Sequence, residues 1–307
     1  MKDNYIIIVT YNAMKWIDRC LESIDSYDNI VIVDNNSSDN TVSYLKEKFL
    51  KITVISQSEN LGFGAANNIG ISYALNKGAK SVFLLNQDAY VIDDCLKNLI
   101  DFQCQNPEYG ILSPIHIDAS KTKLDFGFAN YVSFNKNPNI VSDYMIQNEI
   151  KNVYEVPFVN AAAWLVSKKC LETVGGFDPL FFHYGEDDNY CQRVLFHQFK
   201  IGVYTKGFVI HDRALRRKEK IVLGSNQYFA LKERAYKVRF SDVNNVNSIQ
   251  ELQLYINSIK KSILKNLILL KINQTRVLIK ELFLLKRIAE SIKNSYFKNK
   301  TKYKNYL

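Results

Sequence analysis

Four short runs of β-branched residues alternate with stretches of helical spacing across the first hundred residues, and this alternation limits the folds open to the chain. Residues 5–9, 30–33, 52–55 and 82–85 read as buried strands. Between them, 14–27 carries Ile17, Leu21 and Ile24 at helical spacing, and 41–49 and 63–76 also read as helices, the last stopped by Gly78. Strands without an exposed face, joined by helices, predict βαβ units and a parallel sheet covered on both sides.

Beyond Asp88 the pattern loosens. Residues 94–105 read as helix. Residues 124–134 alternate with a period of two, as a half-exposed strand would, and 161–166 is a further apolar strand. Gly175-Gly176-Phe177-Asp178 marks a tight turn, 186–197 a helix, and 201–204 and 208–210 two short strands ending at His211. From Ser248, apolar residues step by three and four, with a polar break at Asn273-Gln274, so two amphipathic helices are expected. The predicted organisation is an α/β domain over 1–240 and a basic helical extension over 241–307.

Charge supports that division. Residues 1–240 hold 27 Lys/Arg and 27 Asp/Glu, whereas 241–307 hold 13 against 4, so the net charge of +9 lies entirely in the extension. Five cysteines, an odd number with no C-x-x-C pair, argue against a disulfide framework or a zinc knuckle and favour a reducing compartment. The N-terminal apolar run is too short for a signal-peptide core. The most apolar stretch, 266–285, is interrupted by Lys271, Arg276, Lys280 and Glu281. A cytoplasmic protein is expected, touching the inner face of a membrane from the side if at all.

In an open parallel sheet, ligands bind beyond the carboxyl ends of the strands. The polar residues there are Thr10, Tyr11 and Asn12, then Asp34 and Asn35, then Asn60 to Gly64, then Asn86 and Asp88. Any one of these could be a turn former or a helix cap; four strand ends carrying them point to a shared crevice. The Asn60–Gly70 loop allows close backbone approach to a ligand but fits neither G-x-G-x-x-G nor a P-loop, which weighs against a dehydrogenase or an ATPase. Asp88 is one hard oxygen ligand, enough for a divalent cation if a diphosphate and waters complete the shell. Glu186-Asp187-Asp188 opens a helix, where the dipole favours acids, and a carboxylate so placed can act as a general base. Arg193, two turns further along that face, is expected to pair with a neighbouring acid. His211 ends the last strand of this body near the other groups.

Val9-Thr10-Tyr11-Asn12, Val31 to Asp39, Asn60-Leu61-Gly62, Asn86-Gln87-Asp88, Gly175 to Asp178, Glu186-Asp187 and His211 occur in an order that resembles the inverting glycosyltransferases of family 2, with the GT-A fold, in their rhamnosyltransferase-like branch. The resemblance spans roughly residues 4–212. It implies that Thr10, Tyr11, Asn12 and Asp34 bind the nucleoside, that Asn60 and Gly62 line the nucleotide loop, and that Asn86 and Asp88 face the donor. It further implies Asp88 and His211 at a Mg²⁺ or Mn²⁺ ion, and Asp187 as catalytic base supported by Glu186. Two positions depart from the family pattern: the D-x-D motif reads Asn86-Gln87-Asp88, and Asn189 replaces the last acid of E-D-x-D.

The resemblance implies transfer of a sugar, rhamnose favoured, from a dTDP- or UDP-linked donor to a glycan or lipid-linked oligosaccharide acceptor. The alternatives are a galactosyl, galactofuranosyl or other hexosyl transfer, or a catalytically silent GT-A domain acting in assembly. For the basic extension the readings are packing on the body, a homodimer seam, or contact with an anionic membrane; nucleic-acid binding is not expected, since no recognised module accompanies the charge.

Overall fold

The computed structural model describes residues 3–26, 28–213 and 221–307. Its first half follows the alternation: β1 (Asn4–Thr10), α1 (Ile17–Glu22), β2 (Ile30–Asp34), α2 (Thr41–Lys48), β3 (Thr53–Ser56), α3 (Phe63–Asn76) and β4 (Ser81–Asn86). Then come β5 (Ala89–Val91), α4 (Cys95–Gln105), β6 (Tyr109–Ile117), α5 (Phe126–Tyr131), α6 (Pro138–Met145), β7 (Val153–Glu155) and β8 (Ala163–Ser167). The chain continues through α7 (Lys168–Val174), α8 (Glu186–Phe196), β9 (Lys200–His211), α9 (Asn226–Phe240), α10 (Ser248–Ile268) and α11 (Ile272–Lys298). The first predicted helix is shorter than expected, and its expected end, Tyr27, lies outside the described residues.

The sheet runs β3-β2-β1-β4-β8-β6-β9-β5, with β7 also on β9. The first four strands are parallel. β8 is antiparallel to both of its neighbours. Side-chain alternation divides the apolar residues between two faces. Ile7, Val31, Val33 and Leu84 meet Ala66 and Ile71 of α3 on one side. Ile6, Ile8, Ile32 and Phe83 meet Ile17, Leu21, Leu45 and Leu99 on the other. Each fully buried aliphatic side chain contributes about 1.5–3 kcal/mol, so the sheet is stabilised from both sides. α3 lies so close to β1 that a Cβ at Gly70 would collide with Ile7.

Two expected elements differ. Residues 124–134 hold helix α5, not a strand. Asp125 accepts the Phe128 N–H at 2.9 Å and caps the turn, so a local side-chain bond prevails over the period-two pattern. The two short strands after residue 200 are one long β9 with a register shift opposite Pro114 and Ile115.

The extension forms its own apolar cluster. Tyr236 and Phe240 of α9 join Leu252 and Ile256 of α10 and Leu285 and Ile292 of α11, so this cluster begins ahead of residue 240. The break between the last helices falls at Leu269–Lys271, with Leu270 at φ +54°, and the polar pair Asn273-Gln274 continues α11. The end of the extension returns to the body. Asp178 Oδ2 accepts from Ser295 Oγ at 2.6 Å, Asn299 Nδ2 at 2.7 Å and Tyr306 O–H at 3.1 Å. Gly176 N–H donates to the Asn305 carbonyl at 2.8 Å.

Asp178 is buried, and its Oδ1 also accepts the Leu180 N–H, so its removal strands four donors. Asp178→Ala is expected to cost about 2–4 kcal/mol and to release the residues after 295 to protease. Thermal unfolding and limited proteolysis check this; unchanged protection of those residues would refute it.

Candidate active site

The polar strand ends form one continuous edge. Thr10 Oγ1 donates to Asp34 Oδ1 at 2.9 Å, and Ser37 binds the same carboxylate through Oγ at 2.5 Å and N–H at 2.9 Å. Asp34 is 1% exposed, so it holds the loop after β2 in shape. Asn12, at φ +50°, accepts the Ser38 N–H at 2.9 Å and joins the loops after β1 and β2. Asn35 accepts the Leu61 N–H and donates to Asn60, whose own oxygen caps the Gly62 N–H. A Cβ at Gly62, φ +82°, would strike the Phe182 carbonyl, so only glycine lets the two loops meet. Tyr11 is exposed above this edge. Gln87 fixes it from below, accepting its N–H at 2.8 Å and donating to its carbonyl at 3.2 Å.

β5 pairs with β9 in a register that sets Ala89 opposite His211. That register brings Asp88 Oδ1 to 3.6 Å from Nε2 of the buried His211, and Asp125 Oδ2 lies 3.7 Å from its Nδ1. Arg213 grips Asp125 through Nε at 2.8 Å and Nη2 at 2.7 Å. Burial pushes the Asp125 carboxyl up, but Arg213 and the Phe128 N–H outweigh it and hold it below the usual range. His116, edge to face with His211, is pushed down to about 3 by burial. Among the described residues no three His, Cys, Asp or Glu side chains converge as a preformed metal cage. The donor set still fits a divalent cation: one carboxylate oxygen and one imidazole nitrogen, outside hydrogen-bonding distance of each other, leave most of the coordination shell for water and phosphate.

α8 begins after Gly185 (φ +95°) and carries Glu186, Asp187 and Asp188 in its first turn. Burial, then the Asp188 charge, pushes Asp187 up to about 7. Burial, then the Asp187 charge, does the same to Glu186. Two observations tie this helix start to the Asp88 corner. The Ala161 N–H favours the charged form of the Asp187 carboxyl, while the adjacent Ala162 carbonyl accepts the Asn86 N–H at 2.9 Å. Tyr131 of α5 is raised to about 12 by burial and then by Asp187, and it also feels Arg213 and Asp125. Asn86 Oδ1, Asn160 Oδ1 and Glu186 Oε2 are buried without a partner among the described residues. Each is a desolvated acceptor that a hydroxyl donor of a ligand would satisfy.

The structure thus groups Asn86, Asp88, His211, Glu186 and Asp187, with Thr10, Tyr11, Asn12, Asp34, Asn60 and Gly62 along the adjoining edge. Arg193 does not belong there. It is fully buried, and its guanidinium donates to Asn189 Oδ1 and to the carbonyls of Val174 and Gly176 at 2.6–3.0 Å. The expected pairing with an acid fails because main-chain oxygens of the 175–176 turn take that place. Asn189, the departure from the acidic pattern, serves Arg193 and Ser241. Asp125, Arg213, Tyr131 and Asn160 were not singled out from sequence; they lie in the less regular segments, and only the Asp125 cap position carried a local signal.

The mixed α/β sheet with helices on both faces and acids beyond its strand ends is of the GT-A class of fold. Residues 5–174 match the profile of Glycosyl transferase family 2, more than half of the chain, and the protein belongs to that family. It is similar to the dTDP-rhamnosyl transferase RfbF of Shigella flexneri, 27% identical over 192 residues, 62% of either chain. It is also similar to the low-salt glycan biosynthesis hexosyltransferase Agl10 of Haloferax volcanii, 23% identical over 214 residues, covering 69% of this chain and 68% of that one. The first of these is thus matched over somewhat less than two thirds of its length. Among solved structures, GalNAc-T7 with UDP, GalNAc and Mn²⁺ shares the fold at a TM-score of 0.57 and 13% identity, over 76% of this chain and 47% of that one.

The raised Asp187 pKa has a consequence for stability. From about pH 4 to about pH 7 the folded state holds more protons than the unfolded one, so stability falls as pH climbs through that window. Asp187→Asn is therefore expected to gain about 1–2 kcal/mol over the parent at a pH of about 8, and little at a pH of about 4. Denaturant unfolding at both values checks the sign.

Proposed function

We propose that the protein transfers a sugar, rhamnose favoured, from a dTDP- or UDP-linked donor to a hydroxyl of a lipid-linked glycan, with inversion at the anomeric carbon. The observation that supports this reading is the Ala161–Ala162 pair: the Ala162 carbonyl accepts the Asn86 N–H, and the neighbouring Ala161 N–H favours the charged form of Asp187, so the acid of α8 and the strand end that carries Asp88 share one short segment.

Tyr11 offers an exposed ring for the base of the donor to stack on, and the 34–38 and 60–62 loops, held rigid by their own bonds, shape the nucleotide edge. Asp88 and His211 would hold Mg²⁺ or Mn²⁺ against the diphosphate. A cation bound there neutralises the charge of the departing diphosphate as a Lewis acid. Arg213, anchored on Asp125, adds positive charge at the same corner. Asp187 removes the proton from the acceptor hydroxyl as it attacks the face opposite the leaving group. The unpartnered oxygens of Asn86, Asn160 and Glu186 accept from sugar hydroxyls. Similarity to RfbF supports rhamnose, and similarity to Agl10 supports a different hexose as the second reading.

Asp187→Asn is expected to lower kcat by about 10²–10⁴ with circular dichroism unchanged. In the parent, kcat is expected to rise with pH through about 7 as Asp187 ionises. Undiminished turnover in Asp187→Asn removes the base assignment. Asp88→Ala is expected to abolish the Mn²⁺-dependent part of nucleoside diphosphate binding in calorimetry; identical titrations with and without Mn²⁺ in the parent remove the metal assignment. Thermal shift against a panel of nucleotide sugars decides between rhamnose and the hexose alternative.

A further inference from the structure

The helical extension is buried at one end and bare at the other. Leu252, Ile256 and Ile259 of α10 pack into the cluster shared with α9 and α11. Toward the α10–α11 turn the same amphipathic pattern meets no partner among the described residues. Leu264, Leu267, Ile268, Leu269, Leu270 and Ile272 are all at least half exposed, Ile268 at 74% and Leu270 at 81%. With 21 residues, α10 is about 30 Å long, so this tip stands well away from the turn that joins α9 to α10. A second apolar group adjoins it: Ile221, Val222 and Leu223 are exposed and precede Gly224, which packs against Val277 near the start of α11.

Charge around the tip is of one sign. Between Glu251 and Glu281 the chain has no Asp or Glu, and it carries Lys260, Lys261, Lys265, Lys271, Arg276 and Lys280, all exposed. None of the six forms an ion pair among the described residues. A contiguous apolar patch of this kind marks an interaction site. A second copy of the chain would bring the same six positive charges and be repelled. No helix among the described residues is long and apolar enough to cross a bilayer. An anionic lipid surface satisfies both features, taking the leucines and isoleucines below the headgroups and the basic collar among the phosphates.

We propose that the α10–α11 tip, with Ile221–Leu223 beside it, is a monotopic docking element for anionic membrane. It holds the protein on the surface without spanning it, and it acts independently of which sugar the active site transfers.

The test is vesicle flotation of the full chain, with no turnover needed. Phosphatidylcholine vesicles are compared with vesicles that also contain phosphatidylglycerol, at low and high salt. The full chain is expected to float with the anionic vesicles, to stay behind with the neutral ones, and to release as salt rises. The triple change Leu267→Glu, Ile268→Glu and Leu270→Glu is expected to lower partitioning more than tenfold. Replacing Lys by Gln at 260, 261 and 265 is expected to cost about fivefold per residue at low salt. Both variants should keep the melting temperature and the nucleoside diphosphate affinity of the parent, because none of these side chains is buried. Failure of the parent to float with anionic vesicles at low salt overturns the proposal, as does equal flotation of parent and triple variant. A parent dimer in light scattering that the triple variant dissolves, without flotation of either, also overturns it and assigns the tip to a copy-to-copy contact.

Discussion

Both faces of the β3-β2-β1-β4 sheet are covered by apolar side chains, and this coverage organises everything else in the molecule. A strand buried on two sides can expose polar groups only where it ends. Thr10, Asp34, Asn86 and Asp88 stand at those ends, and each is bonded to a neighbouring strand end or to the loop that leaves it. The strand β8 then enters antiparallel beside β4, which delivers the 160–162 segment to the same edge. The polar edge is a consequence of the sheet's burial and needs no separate scaffold.

Electrostatics at the start of α8 oppose one another. The helix dipole favours three acids in the first turn, while burial disfavours their charge. Burial prevails at Glu186 and Asp187, and both carboxyls are pushed up to about 7. A carboxylate in its ordinary range would be a poor match for a hydroxyl proton, so the same desolvation that weakens folding at this point raises basicity where the proposed reaction calls for it.

Much of this arrangement was legible in the sequence. The βαβ alternation over residues 4–86 came from β-branched runs, and the rule of strand ends led to Asp34, Asn60, Asp88 and His211. What stayed hidden has physical causes. Asp125 was lost because Leu124, Phe126 and Phe128 mimic a strand, and only the capping bond reveals the turn. Arg193 was misread because its partners are main-chain carbonyls, which no side-chain pattern announces. Tyr131 and Asn160 depend on how the irregular region between β6 and β8 folds back over the sheet. In the extension, the apolar step predicted both helices, but a left-handed residue at Leu270 moved the turn ahead of the polar pair.

The strap formed by Ser295, Asn299 and Tyr306 around Asp178 bears on the order of events during synthesis. Translation proceeds from the amino end, so the strand-end edge of β1–β4 can assemble before the later helices have emerged. The turn that leads into α8 gains its final hydrogen-bond partners only after residue 306 has emerged. In a nascent chain the β1–β4 edge can therefore form before the start of α8 is fixed in place.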